Sequence, residues 1–391
     1  MRAAAALVLD AGPADAGTRV AEEALASLRD VAPTLGVLFA TPHYSTVAEE
    51  LLGAVREVTG QMPLIGCIAG SVIGGPREVE TDPGVSLWLA EGTGPVETFS
   101  MEHLQEPIGG LFAGYHFERG GGLHVLLCDP FSFPAGDLLE HVNANVPGTQ
   151  VIGGMASGGA EQRRSQLFLD DQVLLRGAVG ARLAGAQVDL LVSQGCRPIG
   201  SPFTVTGAEG NVMHELGGRP PFQRLEELVS ALPEGDRQLL ANGGLQVGLV
   251  IDEYRSEQRH GDFLIRGVIG ADPGSGAIVV GGEIAIGQTV QFHVRDAGSA
   301  DEDLRRALER EVAALSGQSP AAALLFTCNG RGLQLFQAPD HDAGLVAKFL
   351  GEIPMAGCFC AGELGPIGGK NFLHSFTASI AIFRQGRESH G

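Results

Sequence analysis

Basic charge is scarce in this chain. Its 391 residues carry 26 Lys and Arg against 46 Asp and Glu, a formal net charge of −20. A nucleic-acid-binding surface needs a basic footprint to displace counterions, and none is visible. The same balance disfavours adhesion to an anionic membrane. Lysine occurs only at Lys348 and Lys370, a bias attributable to the source's coding preference and not to function. No apolar run approaches the length that spans a bilayer, so no membrane insertion is expected. The apolar start Met1–Leu9 is brief, is ended by Asp10 and leads to no cleavage-type site, which argues against a signal peptide. The six cysteines are dispersed as Cys67, Cys128, Cys196, Cys328, Cys358 and Cys360. Such dispersion fits no small disulfide framework, and reduced thiols in a cytoplasmic protein are the expectation. A Walker phosphate loop and a dinucleotide Gly-x-Gly-x-x-Gly in strand–helix context are both missing, and no cofactor is expected.

Glycine, by contrast, is abundant, at 58 residues, without a Gly-X-Y period. It serves turns and places where backbone approaches backbone or ligand. An apolar fraction of 44% with 18% charged residues is a globular composition, and the length favours two domains.

One pattern occurs three times. An apolar strand, Leu35–Ala40, is followed by a polar turn and by a helix with Leu51, Leu52, Val55 and Val58 on one face. Thr46 and Glu49 stand in capping-box spacing before it, and a second strand runs through Pro63–Cys67 to Gly70. The second copy runs from Leu123–Asp129 through a helix with Leu138, Leu139 and Val142 to Gln150–Gly158. The third runs from Ala321–Cys328 through a helix with Leu345, Val346, Phe349 and Leu350, which Asp340 is placed to cap, to Pro354–Gly362. Strand, helix and strand of this length make a crossover unit with parallel strands. The loops after such strand ends are where ligands lie in open α/β sheets. Between the copies, short apolar segments such as Val85–Ala90, Leu245–Ile251 and Thr289–Val294 read as strands, and a helix follows Ser299.

The segments Gly195–Gly200, Thr204–Thr206 and Glu209–Asn211 resemble the end of a FIST N-terminal domain, and Gly287–Asp296 resembles the opening of its C-terminal partner. Cys328-Asn-Gly-Arg-Gly332, Cys358–Pro366 and Asn371–Ala378 carry the closest similarity. The resemblance implies an α/β fold: two related domains, 1–219 and 220–391, with mixed sheets and repeated crossover units. It also implies a sensory module of intracellular signal transduction that binds an amino acid or a similar small anionic or zwitterionic metabolite. Some relatives carry an F-box and act as substrate receptors, which makes a protein-interaction scaffold the second reading. No F-box, kinase or receiver segment is read in this chain, so its output is expected through a separate signalling partner or a change in assembly.

The candidate ligand residues sit in strand-end loops. Arg331, between Gly330 and Gly332, can offer a planar fork to a carboxylate; the plainer alternative is an arginine paired with a nearby acid. Asn329 lies in the same turn, and the loop after Cys360 supplies Gly362 and Glu363. Asn371 and His374 follow closely enough to close the same cavity. In that reading Arg331 takes a ligand carboxylate and Glu363 an ammonium. Arg197 and Asn211 form an alternative site in the N-terminal half, although asparagines also simply stabilise turns. Cys360 with Glu363 and His374 is the one local set resembling a nucleophile with its acid and base, which keeps a cysteine-dependent hydrolase or transferase as a third reading. No catalytic residue is assigned, and a buried inert thiol is the commoner role. Cys358 and Cys360, with Cys328 nearby, lack the spacing and fourth ligand of a zinc site.

Overall fold

The computed structural model describes residues 1–29, 31–105, 110–159, 165–255 and 261–385. The chain forms two compact units. The first comprises Met1–Val192, Leu304–Leu373 and Thr377–Gly391; the second comprises Ser193–Asp303 and His374–Phe376. A boundary near Arg219 lies inside the second unit.

The first unit is built from three modules. Module one contains strand β1 (Arg2–Leu9), helix α1 (Pro13–Leu28), strand β2 (Leu35–Ala40), helix α2 (Ala48–Thr59) and strand β3 (Leu64–Ile68). A hairpin, β4 (Val72–Gly74) and β5 (Arg77–Val79), and strand β6 (Gly84–Glu91) complete it. Module two runs β7 (Val96–Gln105), β8 (Gly110–Ala113), β9 (Leu123–Cys128), α3 (Ala135–Asn145), β10 (Gln150–Met155), the hairpin β11 (Leu167–Leu169) and β12 (Gln172–Leu174), and β13 (Ala178–Leu183). Module three opens with β14 (Val188–Gln194).

The chain then makes the second unit. Its strands are β15 (Cys196–Pro198), β16 (Phe203–Glu209), β17 (Val212–Leu216), β18 (Leu245–Val250), β19 (Phe263–Asp272), β20 (Ala277–Val280) and β21 (Thr289–Arg295). Helices α4 (Pro221–Ala231) and α5 (Glu234–Leu239) lie between β17 and β18 in sequence. Antiparallel pairing runs β21-β16-β17-β20-β19-β18 and returns to β21, so six strands close into a barrel. Closure removes the exposed edges that an open sheet would present. Val205, Met213, Val247, Ile278 and Phe292 fill the barrel core.

Module three resumes with α6 (Ala297–Leu315), β22 (Pro320–Cys328), α7 (Gly332–Phe336), α8 (His341–Leu350) and β23 (Met355–Cys360). Its hairpin is β24 (Glu363–Ile367) and β25 (Lys370–His374), and β26 (Thr377–Arg384) ends it.

All three crossover units have parallel flanking strands, as the repeat requires: β2 with β3, β9 with β10 and β22 with β23. Each then pairs its first strand antiparallel with its last: β6, β13 and β26. These strands are buried on both faces, which is why they read as continuous apolar runs and not as alternation. One face, with Phe39, Ile65, Leu127, Ile152 and Phe326, belongs to a central core common to all three sheets. The other face packs under the module's own helices.

The hairpins are exchanged in a ring. The hairpin of module one adds to β23 of module three, that of module three to β10 of module two, and that of module two to β3 of module one. The three sheets are therefore mixed, and none is completed by its own module. The Thr46–Glu49 capping box does not form. Pro42–Val47 makes a 3-10 turn that takes Thr46 into its own winding, so Val47 precedes α2 without a side-chain cap.

Candidate functional site: the converging strand ends

The C-terminal ends of the three parallel pairs meet at one place. The Ser157 hydroxyl, just past β10, accepts a hydrogen bond from the Gly70 N–H at 2.8 Å and donates to the Phe359 carbonyl at 2.5 Å. One side chain thus ties together the ends of β10, β3 and β23. Asn329 stands at this junction: its N–H donates to the Cys360 carbonyl at 2.9 Å, and its side chain is exposed.

Below it, module three departs from its two copies. In each sheet the exchanged hairpin opens beside the second parallel strand, with Leu167 opposite Cys67 and Val72 opposite Cys358. The third such position, opposite Gly154, holds Glu363. A carboxyl therefore occupies a place that is aliphatic elsewhere, and it is fully buried. Its Oε2 accepts from the Thr377 N–H at 3.1 Å and hydroxyl at 2.8 Å, while Oε1 has no partner. Burial pushes its pKa up to about 8, which favours the neutral carboxylic acid at pH 7. The Cys328 thiol and the Arg331 guanidinium both act on the same carboxyl from close by.

Arg331 is wholly buried as well. Nε and Nη2 fork onto Asp342 at 2.6 and 2.8 Å, and the guanidinium lies 5.2 Å from the Phe336 ring centre. Nη1 has no partner. The Thr327 hydroxyl also donates to Asp342, at 2.6 Å. Although burial works against its charge, Arg331 holds the Asp342 carboxyl well below the usual range. The fork that the sequence assigned to a ligand is thus engaged internally, and Nη1 is the guanidinium nitrogen left without a partner.

Hairpin exchange supplies an acidic rim. Glu78 on β5 accepts the Ala343 N–H at 2.8 Å, capping α8 through Oε1, and the Asp340 side chain accepts the Glu78 N–H at 2.7 Å instead of capping the helix itself. Burial, with Asp342 adding to it, pushes Glu78 up to about 8. Glu80 accepts the Leu333 N–H of α7 at 3.0 Å. An added Cβ on Gly332, at φ +62°, would lie 2.6 Å from the Glu80 carboxylate, so only glycine admits this approach.

The other candidates fall elsewhere or play structural parts. Asn371 is a buried clamp: its side chain accepts the Val151 N–H at 3.0 Å and donates to the Thr149 carbonyl at 2.8 Å. The Gly362 carbonyl accepts the Met155 N–H at 2.8 Å, an exchange bond between modules. Cys360 is fully buried, 3.7 Å from the Cys358 sulfur, and burial pushes its thiol up. His374 is buried and belongs to the second unit. Arg197, also there, pairs with Asp236 and, at 2.7 Å, with Asp296. Asn211 donates to the Val280 carbonyl at 3.0 Å, the turn-stabilising role. The structure thus gathers Asn329, Arg331, Gly332, Cys360, Gly362 and Glu363 about the strand ends of module three. Asp342, Glu78 and Ser157 are the participants that the sequence reading missed. Aligning the hairpins would have flagged Glu363 as the odd member beside Val72 and Leu167.

Among the described residues no group of His, Cys, Asp and Glu is arranged to hold a metal ion, and no helix is long and apolar enough to cross a membrane. Residues 34–219 match the FIST N domain and residues 221–366 the FIST C domain. A Mycobacterium tuberculosis protein named "Uncharacterized protein Rv0628c" is 49% identical over 370 residues, which is 93% of this chain and 96% of that protein. "Uncharacterized protein Mb0898c" of Mycobacterium bovis is 47% identical over 369 residues, 94% and 95% of the two chains. The chain belongs to the FIST family, whose domains are associated with sensory and signal-transduction roles.

Proposed function

We propose that this protein is an intracellular sensory module that binds a small anionic metabolite, amino acids among the candidates, at the converging strand ends of module three. One observation carries the reading. Arg331 Nη1 and Glu363 Oε1 are both buried without a partner, in one neighbourhood. Leaving such groups unpaired costs about 1–3 kcal/mol each, and a ligand carboxylate relieves both. The guanidinium offers N–H, and the neutral Glu363 carboxyl offers O–H. Two donors suit an acceptor-rich anion. The ammonium of a zwitterion gains no counter-ion from Glu363 while that carboxyl keeps its proton, which shifts the reading from the zwitterion towards the anion.

The enzyme reading is set aside, because a fully buried Cys360 whose thiol is pushed up is a poor source of thiolate. Output through a separate protein partner has one favouring observation. Leu104 on β7 and Leu111 on the short edge strand β8 form an exposed cross-strand pair, which suits a protein contact.

Calorimetry and thermal shift with a panel of small mono- and dicarboxylates test the proposal. A carboxylate that raises the melting temperature is expected, with affinity weakened at least about tenfold in Glu363→Leu, which removes the donor and takes the aliphatic side chain of the equivalent positions, and several-fold in the exposed variant Asn329→Ala. Unchanged affinity in both folded variants places the ligand elsewhere and ends this reading.

A further inference from the structure

Module two lacks a part that its copies possess. In module one, α1 joins β1 to β2 and packs on α2. In module three, α6 precedes β22, and its Leu304 and Leu308 lie in one core cluster with Leu345 and Val346 of α8. In module two, the chain between β7 and β9 holds the short strand β8 and the segment Gly114–Gly122, with no helix among the described residues.

The two helices α2 and α3 align residue by residue, Leu51, Ala54 and Val55 with Leu138, His141 and Val142. Those three residues of α2 receive α1: a Cβ built on Gly17 would meet the Ala54 Cβ and the Leu51 carbonyl, both at 2.7 Å. Their three counterparts on α3 line a cavity of about 400 Å³. Its opposite wall is an aromatic strap from the segment that stands in for the helix: Phe112, Tyr115 and Phe117, with Tyr115 stacked on Phe99 at 3.7 Å. The cavity is the unfilled remainder of a helix position.

Its size decides what fits. A helix of 16 residues, about 10 Å across, displaces on the order of 2,000 Å³. The remaining 400 Å³ suits a small molecule with an apolar body. At the rim stand Glu118 and Arg119, and Arg119 forms no ion pair among the described residues. We propose that this cavity binds a small organic acid with an aromatic body, the ring held between the Phe112–Phe117 strap and α3 and the carboxylate facing Arg119.

The inference is independent of the strand-end reading, since neither Arg331 nor Glu363 lines this cavity. Calorimetry on the full chain with 3-phenylpropionate, indole-3-propionate and the uncharged 3-phenylpropanamide tests it. Both acids are expected to bind saturably, with the amide at least about tenfold weaker, the scale of one charged contact. Arg119→Gln is expected to weaken the acids by the same factor and leave the amide unchanged. His141→Trp, at an exposed position, fills the cavity and is expected to abolish binding at an unchanged melting temperature. If His141→Trp does not fold, Asn145→Phe on the same wall serves instead. No saturable binding of either acid up to about 5 mM, a limit of roughly 3 kcal/mol, overturns the proposal. So does binding that survives in a folded filling variant, or an amide bound as tightly as the acids. Dimerisation of the wild type that the filling variant abolishes would assign the cavity to a second copy of the chain, and overturn it equally.

Discussion

Arg331 and Asp342 form a two-pronged ion pair with both side chains out of solvent, Nε to Oδ2 at 2.6 Å and Nη2 to Oδ1 at 2.8 Å. The pair joins the loop after β22 to the first turn of α8, and Thr327 at the end of β22 makes the third contact. Breaking one partner strands a buried charge, which costs about 3–5 kcal/mol. Asp342→Asn and Arg331→Lys are therefore expected to be strongly destabilised in urea unfolding. The lysine variant fails although it keeps the charge, because it cannot fork. The double variant Arg331→Met/Asp342→Leu is expected to lose less than the sum of its single changes. Strict additivity would show that the pair contributes nothing as a pair.

Glu363 makes stability depend on pH with an unusual sign. Its carboxyl has an ordinary value near 4.5 when unfolded and is pushed up to about 8 by burial when folded. Between these values the native state holds a proton that the unfolded state has released. Stability from this group is thus fully present below about pH 4.5 and declines as pH rises to about 8. Glu78 has the same sign and the same upper limit. Unfolding free energies at pH 5.5 and pH 8 are expected to differ less in Glu363→Gln than in the wild type. An equal difference in both proteins would mean that Glu363 is already ionised in the fold.

The crossover units were legible because parallel strands buried on both faces leave unbroken apolar runs, and Leu35–Ala40, Leu123–Cys128 and Ala321–Cys328 are such runs. The hairpins were not. Val72–Gly74 and Leu167–Leu169 are three residues long, and each finds its sheet in another module, so no local pattern marks it. Arg331 was legible as a functional type and not as a partnered one, since Asp342 lies 11 residues on, in the first turn of α8, and meets it only in the folded chain. The barrel escaped the reading for a related reason. Its strands were recognised singly, but closure depends on β21 pairing with both β16 and β18.

All six cysteines are buried thiols outside any disulfide, as expected for Cys67, Cys128, Cys196 and Cys328. Cys328 is 8% exposed and the other five are fully enclosed. A thiol reagent on native protein is expected to modify Cys328 first, and the rest only as fast as the protein opens. Rapid labelling of Cys358 or Cys360 without loss of the fold would contradict the enclosed central core.

Three glycines hold equivalent places in the second parallel strands, and each permits the same close approach. A Cβ on Gly66, Gly153 or Gly357 would lie 2.0, 1.9 or 1.8 Å from the carbonyl oxygen of its register partner, Leu38, Leu126 or Leu325. That oxygen belongs to the backbone of a buried strand and has nowhere to move. Alanine at any of the three positions must therefore push the paired strands apart, and overpacking of this kind costs about 1–3 kcal/mol or more. Gly153, at φ +140°, carries backbone strain in addition, so its variant is expected to be the worst of the three. The controls are Gly136 and Gly344, in α3 and α8, where an added Cβ meets nothing within 4 Å. There alanine is expected to stabilise by about 0.4–1 kcal/mol, since it narrows the unfolded ensemble and favours helix. Urea unfolding of the five single variants measures both groups together. Three strand variants no less stable than the helix controls would show that the parallel pairs tolerate a side chain here, and that the shared glycine is no condition of the module's fold.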